Sequence, residues 1–307
     1  MKVAFDSRPA PDPRGIGRYV SCLMEALRET APADAELVES HRPRRVDVFH
    51  SPWIDGALLR PPCAQVVTLH DVVPLKRRSE YLRSGIRFRM RYLAVERSKL
   101  VIVPSAVVAA EVTEHLGIGS DRLVVVPEAA APALRERGPK EIAAVRKRYR
   151  LPADYLLWVG GLQTPDPRKR IAALAKAPRE LPLVLVGATK PWAHELPDVT
   201  LTGHVSDDHL AAIYSGARAL VFPSDDEGFG LPTVEALACG TPVVASDLPV
   251  LREVLGDRAT FVASGDLAGL LAAGVAARRP APKPPAWTWT DAARATWQVY
   301  EDALRCG

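Results

Sequence analysis

The stretch Ala219–Leu248 reads ALVFPSDDEGFGLPTVEALACGTPVVASDL, and the fold follows from it. Leu220 to Pro223 is a brief apolar run with a β-branched residue, which suits a buried strand better than a helix. Asp225, Asp226, Glu227, Gly228 and Gly230 then form a loop, and Pro232 supplies the fixed φ favoured where a helix begins. Cys239 and Gly240 end that helix, because glycine is the usual left-handed cap and Thr241-Pro242 blocks continuation before the strand Val243 to Ala245. The pattern is a β-loop-α-β unit.

Ligands of an open parallel sheet collect beyond the carboxyl ends of its strands, which puts Glu227 at a candidate site. Glu235, eight positions on, is expected in the first turn of the helix, its carboxylate turned back toward the same crevice beside the helix's partially positive end. Taken alone, these residues leave open a plainer reading, in which Glu235 only complements the helix dipole and Glu227 sits in a solvated loop.

At 307 residues, 48% of them hydrophobic, the chain is long enough for two cores of roughly 100 to 200 residues each. No run of about 18 apolar residues is present to span a bilayer, and MKVAFDSRPAPDPRG lacks the charged-then-apolar design of a signal peptide, so a cytoplasmic protein is expected. Cys22, Cys63, Cys239 and Cys306 show no paired spacing; reduced, mostly buried thiols are expected, with neither a metal site nor a disulfide framework. A net charge of +4 is too small to argue for a nucleic-acid partner.

The βα alternation runs through the chain. Lys2 to Asp6 reads as a strand, and Arg14-Gly-Ile-Gly-Arg18 as a loop leading into a helix from about Tyr19 to Thr30. Gly15 and Gly17 would let backbone N–H groups approach a phosphate, although neither the dinucleotide fingerprint nor a Walker lysine is present. A strand from Val66 to Leu69 ends in His70-Asp71, which is either a site histidine or a structural one beside a helix cap. From Ser79 to Ser98 a helix is expected, with Leu82, Ile86, Met90 and Leu93 as its apolar line and Arg83, Arg87 and Arg91 as a basic line. That basic line is a candidate for peripheral contact with an anionic membrane, or simply a solvated face. Ser105 can cap a helix that ends at Gly117.

The apolar pattern lapses from Ala129 to Gly138, taken as the crossing between an N-terminal domain (1–138) and a C-terminal one (139–287). The alternation restarts with the strand Tyr155 to Val159, followed by Gly160-Gly161 and a loop carrying Asp166, Arg168, Lys169 and Arg170. Three adjacent cations at a strand end can neutralise a diphosphate without metal, whereas a basic entrance would merely oppose the helix dipole. Trp287, Trp289 and Trp297 introduce a last helix, 288–305, whose tryptophans either stack on sugar or are buried where the helix packs back on the N-terminal domain.

DSRPAPDPRGIGRYV, VVTLHDVVPL, VIVPSAVVAAEV, VGGLQTPDPRKR and above all PSDDEGFGLPTVEALACGTPVVAS together resemble the GT4 (group 1) retaining glycosyltransferases of the α/β GT-B fold. The resemblance implies two facing Rossmann-like parallel-sheet domains, the C-terminal one holding a nucleotide-sugar donor and the N-terminal one presenting a glycan, lipid-linked or small-molecule acceptor. It implies transfer of a hexose, with mannose as one candidate, by a metal-independent enzyme without cofactor; the basic 79–98 helix makes the inner membrane face a candidate location beside the expected cytoplasmic one. By motif, Glu235 would bind the ribose and Glu227 would stand beside the donor sugar. Backbone groups of Gly228, Phe229, Gly230 and Leu231 would meet sugar and phosphate, Arg168 and Lys169 would hold the diphosphate, Gly15 and Gly17 would close over it, and His70 would face sugar and acceptor. Other readings of the same architecture are a nucleotide-sugar epimerase and a non-catalytic nucleotide-sugar-binding partner. Three features depart from the family pattern: Gly161 where relatives often carry Arg, Pro127-Glu128-Ala129 where they often read Pro-Asn-Gly, and a compact N-terminal half.

Overall fold

The structure is a computed structural model and describes residues 1–12, 15–77 and 85–305. They fold as two compact units. Met1–Asp12, Ile16–Glu128 and the segment from Trp287 onward make the first, and Ala129–Ala286 the second.

Six parallel strands build the first unit: β1 (Lys2–Phe5), β2 (Glu36–Glu39), β3 (Val48–Ser51), β4 (Ala64–Thr68), β5 (Leu100–Val103) and β6 (Leu123–Val125), ordered β2-β1-β3-β4-β5-β6. Strand β2 escapes sequence reading because it lies on the sheet edge, with exposed Glu36 and Glu39 around only two apolar residues. The helices are α1 (Gly15–Glu29), α2 (Val73–Lys76), α3 (Gly85–Glu96) and α4 (Ala106–Leu116). As expected, α4 is capped by Ser105 Oγ, which accepts from Val108 N–H at 3.2 Å, and ends at Gly117 with φ +66°.

Two expectations for this unit are corrected. Helix α1 begins at Gly15, so both glycines lie in its first turn and not ahead of it. Gly17 is buried, and the carbonyl oxygens of Pro9 and Asp12 occupy the space a Cβ would need, so close packing on the preceding turn is sufficient reason for this glycine. Leu82 and Arg83 lie outside the described residues, as do the side chains of Ile86 and Arg87. Met90 is exposed, and α3 instead buries Tyr92, Ala94 and Val95, packing Tyr92 and Val95 with Val67, Val101 and Val108. Arg91 is engaged by Asp55 at 2.7 Å.

The second unit repeats the plan with β7 (Leu156–Val159), β8 (Leu183–Val186), β9 (Val199–Leu201), β10 (Ala219–Phe222), β11 (Val243–Ser246) and β12 (Thr260–Val262), all parallel and ordered β12-β11-β10-β7-β8-β9. Its helices are α5 (Pro139–Tyr149), α6 (Ile171–Lys176), α7 (Asp207–Gly216), α8 (Leu231–Ala238), α9 (Pro249–Leu255) and α10 (Leu267–Ala276). Strands covered on both faces need continuous apolar runs, and β8 and β10 are buried throughout. Gly274 lets α10 sit close on the sheet, since a Cβ there would meet Leu156 and Val221 at 2.9 and 3.0 Å.

The last helix, α11 (Trp289–Arg305), belongs to the first unit and packs on β3 and β4. Trp289 and Trp297 are buried, and the Trp297 indole donates to the Leu27 carbonyl at the end of α1 at 3.1 Å, so these rings are core and not a sugar platform. Of the described cysteines, Cys22 and Cys63 are half-buried and only Cys239 is buried.

Candidate active site

The second unit's sheet starts at β7, runs out through β8 and β9, and returns to β10 on the other side of β7. Connections therefore leave β7 and β10 in opposite directions, and such a reversal opens a crevice at the carboxyl ends of the two strands. The loops that follow β7 and β10 carry the cations and the acidic residues singled out in the sequence, and the fold brings them together.

Lys169 Nζ donates to Glu227 Oε1 at 3.0 Å, and Ser224 Oγ donates to the same oxygen at 2.7 Å. Arg168 is turned onto Asp166, its Nε donating to Oδ2 at 2.8 Å while its backbone N–H donates to Oδ1 at 3.2 Å. Asp225 N–H donates to the Arg168 carbonyl at 2.9 Å, and Arg170 approaches Asp225 at 3.9 Å. Phe222 sits beneath the Lys169 ammonium, 5.8 Å from its ring centre. Glu227 is only 8% exposed. Burial raises the cost of its charge, but Lys169 and Arg168 and the hydrogen bonds from Ser224 and Lys169 outweigh that and hold the carboxyl below the ordinary carboxylate range. The sequence signal for this cluster was the run of three cations. Its matching by carboxylates, residue for residue, was not visible there.

Gly230 precedes α8 with φ +86°, and a Cβ would lie 2.6 Å from Leu251 Cδ2, so both backbone and packing require glycine. The Phe229 and Leu231 side chains are buried. Glu235 departs from expectation. Pro232 occupies the first turn of α8, and Glu235 lies in the second, 3% exposed, where Tyr214 Oη from α7 donates to its Oε2 at 3.2 Å. The helix begins one residue before the proline, at Leu231, and that makes Glu235 its fifth residue, just past the first turn.

In the first unit, His70 follows β4 and is held on both sides. Its Nδ1 lies 2.9 Å from Glu128 Oε1 and its Nε2 lies 3.0 Å from the Pro52 carbonyl oxygen. Burial disfavours the imidazolium, yet the hydrogen bond and charge of Glu128, the Pro52 carbonyl and Asp71 prevail and raise its pKa. Tyr19 packs edge-on against the ring, 4.6 Å between centres. Behind it runs a buried relay: Tyr19 Oη to Thr68 Oγ1 at 3.1 Å, Thr68 to His50 Nε2 at 2.9 Å, and His50 Nδ1 to Tyr300 Oη at 2.7 Å. Burial first, and then the charge of His70, push His50 down to about 3, so it stays neutral. Sequence reading missed His50 and Glu128. His50 lies inside a short apolar strand, whereas Glu128 is visible as the departure Pro127-Glu128-Ala129.

Among the described residues, no group of three or more His, Cys, Asp or Glu side chains is arranged around a common metal position, and no helix is long and apolar enough to cross a membrane.

Comparison with known proteins agrees with this architecture. Residues 3–133 match the family model described as Glycosyltransferase Family 4, and residues 153–277 the one described as Glycosyl transferases group 1. The chain is 32% identical over 220 residues to the serotype-specific mannosyltransferase WbdA of Escherichia coli, an alignment covering 64% of this chain and 27% of the relative. To the D-inositol 3-phosphate glycosyltransferase of Thermobispora bispora it is 31% identical over 270 residues, covering 77% of this chain and 61% of the relative. The chain thus spans less than two thirds of either relative's length. Among solved structures, sucrose-phosphate synthase from Thermosynechococcus elongatus superposes with a TM-score of 0.69 at 20% identity, covering 99% of this chain and 96% of the other. With two parallel-sheet units that match the GT-B architecture and two family models that together cover most of its length, the chain belongs to the GT4, or group 1, glycosyltransferase family.

Proposed function

We propose that this protein transfers a hexose from a nucleoside diphosphate sugar to a hydroxyl of a glycan, glycolipid or small-molecule acceptor, with retention of anomeric configuration. The observation that carries this reading is the Lys169–Glu227–Ser224 cluster, set beside Arg168 at the β7/β10 reversal. An ammonium has three donors, and Glu227 uses one of those on Lys169. The others, with Arg168 and the backbone N–H groups of Gly228, Phe229, Gly230 and Leu231, bind the diphosphate and stabilise the charge that develops on it as the sugar leaves. Glu235 binds the ribose, Gly15 closes over the phosphates, and Glu227 positions the sugar.

In the reaction the bond from anomeric carbon to phosphate oxygen breaks, the acceptor oxygen takes its place on the same face, and the departing phosphate oxygen receives the acceptor's proton. A glutamate double displacement needs two carboxyl groups about 5 Å apart across the anomeric carbon. Glu235, held by Tyr214 in the second turn of α8, is assigned to the ribose and does not complete such a pair. With cations and a helix terminus bearing the phosphate charge, no divalent metal or cofactor is required, and a chelator leaves the rate unchanged. The mannosyltransferases among the relatives favour mannose as the hexose. The cytoplasm, partly at the membrane's inner face, is the location that fits such a donor.

A thermal-shift panel of nucleoside diphosphates and their sugars tests the donor. Ligand at 100 times its dissociation constant adds about 2.7 kcal/mol to the folded state, so the right nucleotide raises the midpoint and the others do not. Glu227→Gln should keep that shift and lose transfer. Full turnover in the variant would remove Glu227 from the reaction.

A further inference from the structure

The arrangement around His70 has a consequence for proton movement. The Pro52 carbonyl oxygen carries no proton, so Nε2, 3.0 Å away, must be the donor there. A neutral imidazole has one N–H, which would leave a bare Nδ1 lone pair facing Glu128 Oε1 at 2.9 Å. A second proton must lie between these two atoms. An ordinary carboxyl releases its proton near 4.3 and an ordinary imidazole near 6.5, so that proton belongs on the ring. We propose that Glu128 is a positioning residue that keeps His70 doubly protonated, a fixed imidazolium whose two N–H groups are both committed and which therefore cannot take a proton from an acceptor hydroxyl.

The groups facing the ring agree. Glu128 and Asp71 are acidic and favour the imidazolium; Tyr19 from α1 presents an uncharged ring; and His50 of β3, beyond Thr68, is held neutral. Asp6, at the end of β1, acts on His50. Glu128 is itself fixed at its other end, because its carbonyl oxygen accepts from the Trp287 indole at 2.6 Å. The carboxylate is thus anchored where the chain leaves the first unit, by the residue at which the chain re-enters it. Its side chain is 8% exposed and that of His70 17%, so water screens the pair poorly. A neutral amide at position 128 could accept the same hydrogen bond but could not supply the charge, so the carboxylate, and not the hydrogen bond alone, is what favours the imidazolium.

The imidazolium itself is read without any turnover, by nitrogen-15 NMR of ring-labelled full-length protein, with His70→Asn identifying the resonance. The wild-type ring should show two protonated nitrogens at pH 7.5 and therefore a midpoint above that pH. In Glu128→Gln the midpoint should fall by roughly one to three pH units, as expected on losing one adjacent charge, and Glu128→Asp should restore part of it. A neutral wild-type ring at pH 7, with the proton on Glu128, overturns the inference, and so does an unchanged midpoint in Glu128→Gln. If Glu128→Gln does not fold, the wild-type and Glu128→Asp spectra still decide. A second arm rests on the proposed transfer reaction: kcat of the wild type should show no His70 limb between pH 6 and 7.5, and Glu128→Gln should gain one. NMR as expected with no transfer from any nucleotide sugar would refute the proposed function and leave the imidazolium standing.

Discussion

Replacing Lys169 by Met isolates the energetics of the donor-side cluster. The substitution keeps an unbranched apolar side chain and removes the charge that Glu227 meets at 3.0 Å and that lies 5.8 Å from the Phe222 ring centre. Removing one partner of a buried pair typically costs 3–5 kcal/mol, because the other charge is left uncompensated. Here the cost is smaller. Lys169 is 20% exposed, Arg168 still acts on the carboxylate, and Ser224 still donates to Oε1, so about 2 kcal/mol at neutral pH is expected. For a unit of this size that is about 4–8 °C in Tm. The pH dependence identifies the cause. In the wild type the Glu227 carboxyl is held below its ordinary range, so its contribution is present above the unfolded carboxyl's pKa and is lost as pH falls through the lower folded value. In the variant, burial is opposed less, and the carboxyl rises. The variant therefore recovers as acid protonates Glu227, and the gap to wild type narrows between pH 7.5 and pH 4.5. Thermal denaturation followed by circular dichroism across that range measures it. Adding Glu227→Gln to the lysine variant should restore most of the loss at pH 7.5, since no buried charge then lacks a partner. A gap that stays constant with pH, or a double variant no more stable than the single, would refute the ion-pair account and assign the loss to packing.

Gly230→Ala places a side chain at φ +86° and 2.6 Å from Leu251, which should cost about 2–3 kcal/mol in urea unfolding and distort the N–H groups at the start of α8, weakening nucleotide binding in calorimetry. Tyr214→Phe leaves Glu235 Oε2 without its hydroxyl donor, and a loss of about 1–3 kcal/mol is expected by the same unfolding measurement.

What the sequence disclosed was governed by range. The β-loop-α-β reading of Ala219 to Leu248 holds because its signals are local: a four-residue apolar run, a glycine at the left-handed position after the helix (Gly240, φ 68°), and a proline that cannot continue a helix. The misreadings came from details that tertiary packing sets. Glu235 was displaced from the first turn because α8 starts at Leu231, and whether the chain turns helical one residue earlier depends on Gly230 packing beneath Leu251. The apolar line assumed through Met90 fails because α3 is rotated so that Tyr92 and Val95 meet the valines of β4 and β5. Nothing local marks β2, an edge strand with two glutamates. Least visible of all were the partners: Lys169 and Glu227 are far apart in sequence, and so are His70 and Glu128, and neither pairing has a signature until the strand order brings the loops together.

Those two pairings rest on one physical device. In each unit a carboxylate buried beyond a strand's carboxyl end meets a nitrogen donor: Glu227 meets Lys169, with Arg168 adding its charge, and Glu128 meets His70. On the proposed reading, the ammonium in the second unit has further N–H donors to offer a phosphate while it keeps its bond to Glu227. In the first unit the cation's donors are exhausted by Glu128 and Pro52, so the pair can neither accept nor release a proton cheaply. On the proposed reading the Lys169 pair serves the departing phosphate, and the His70 pair adds no base that would compete with that phosphate for the acceptor's proton.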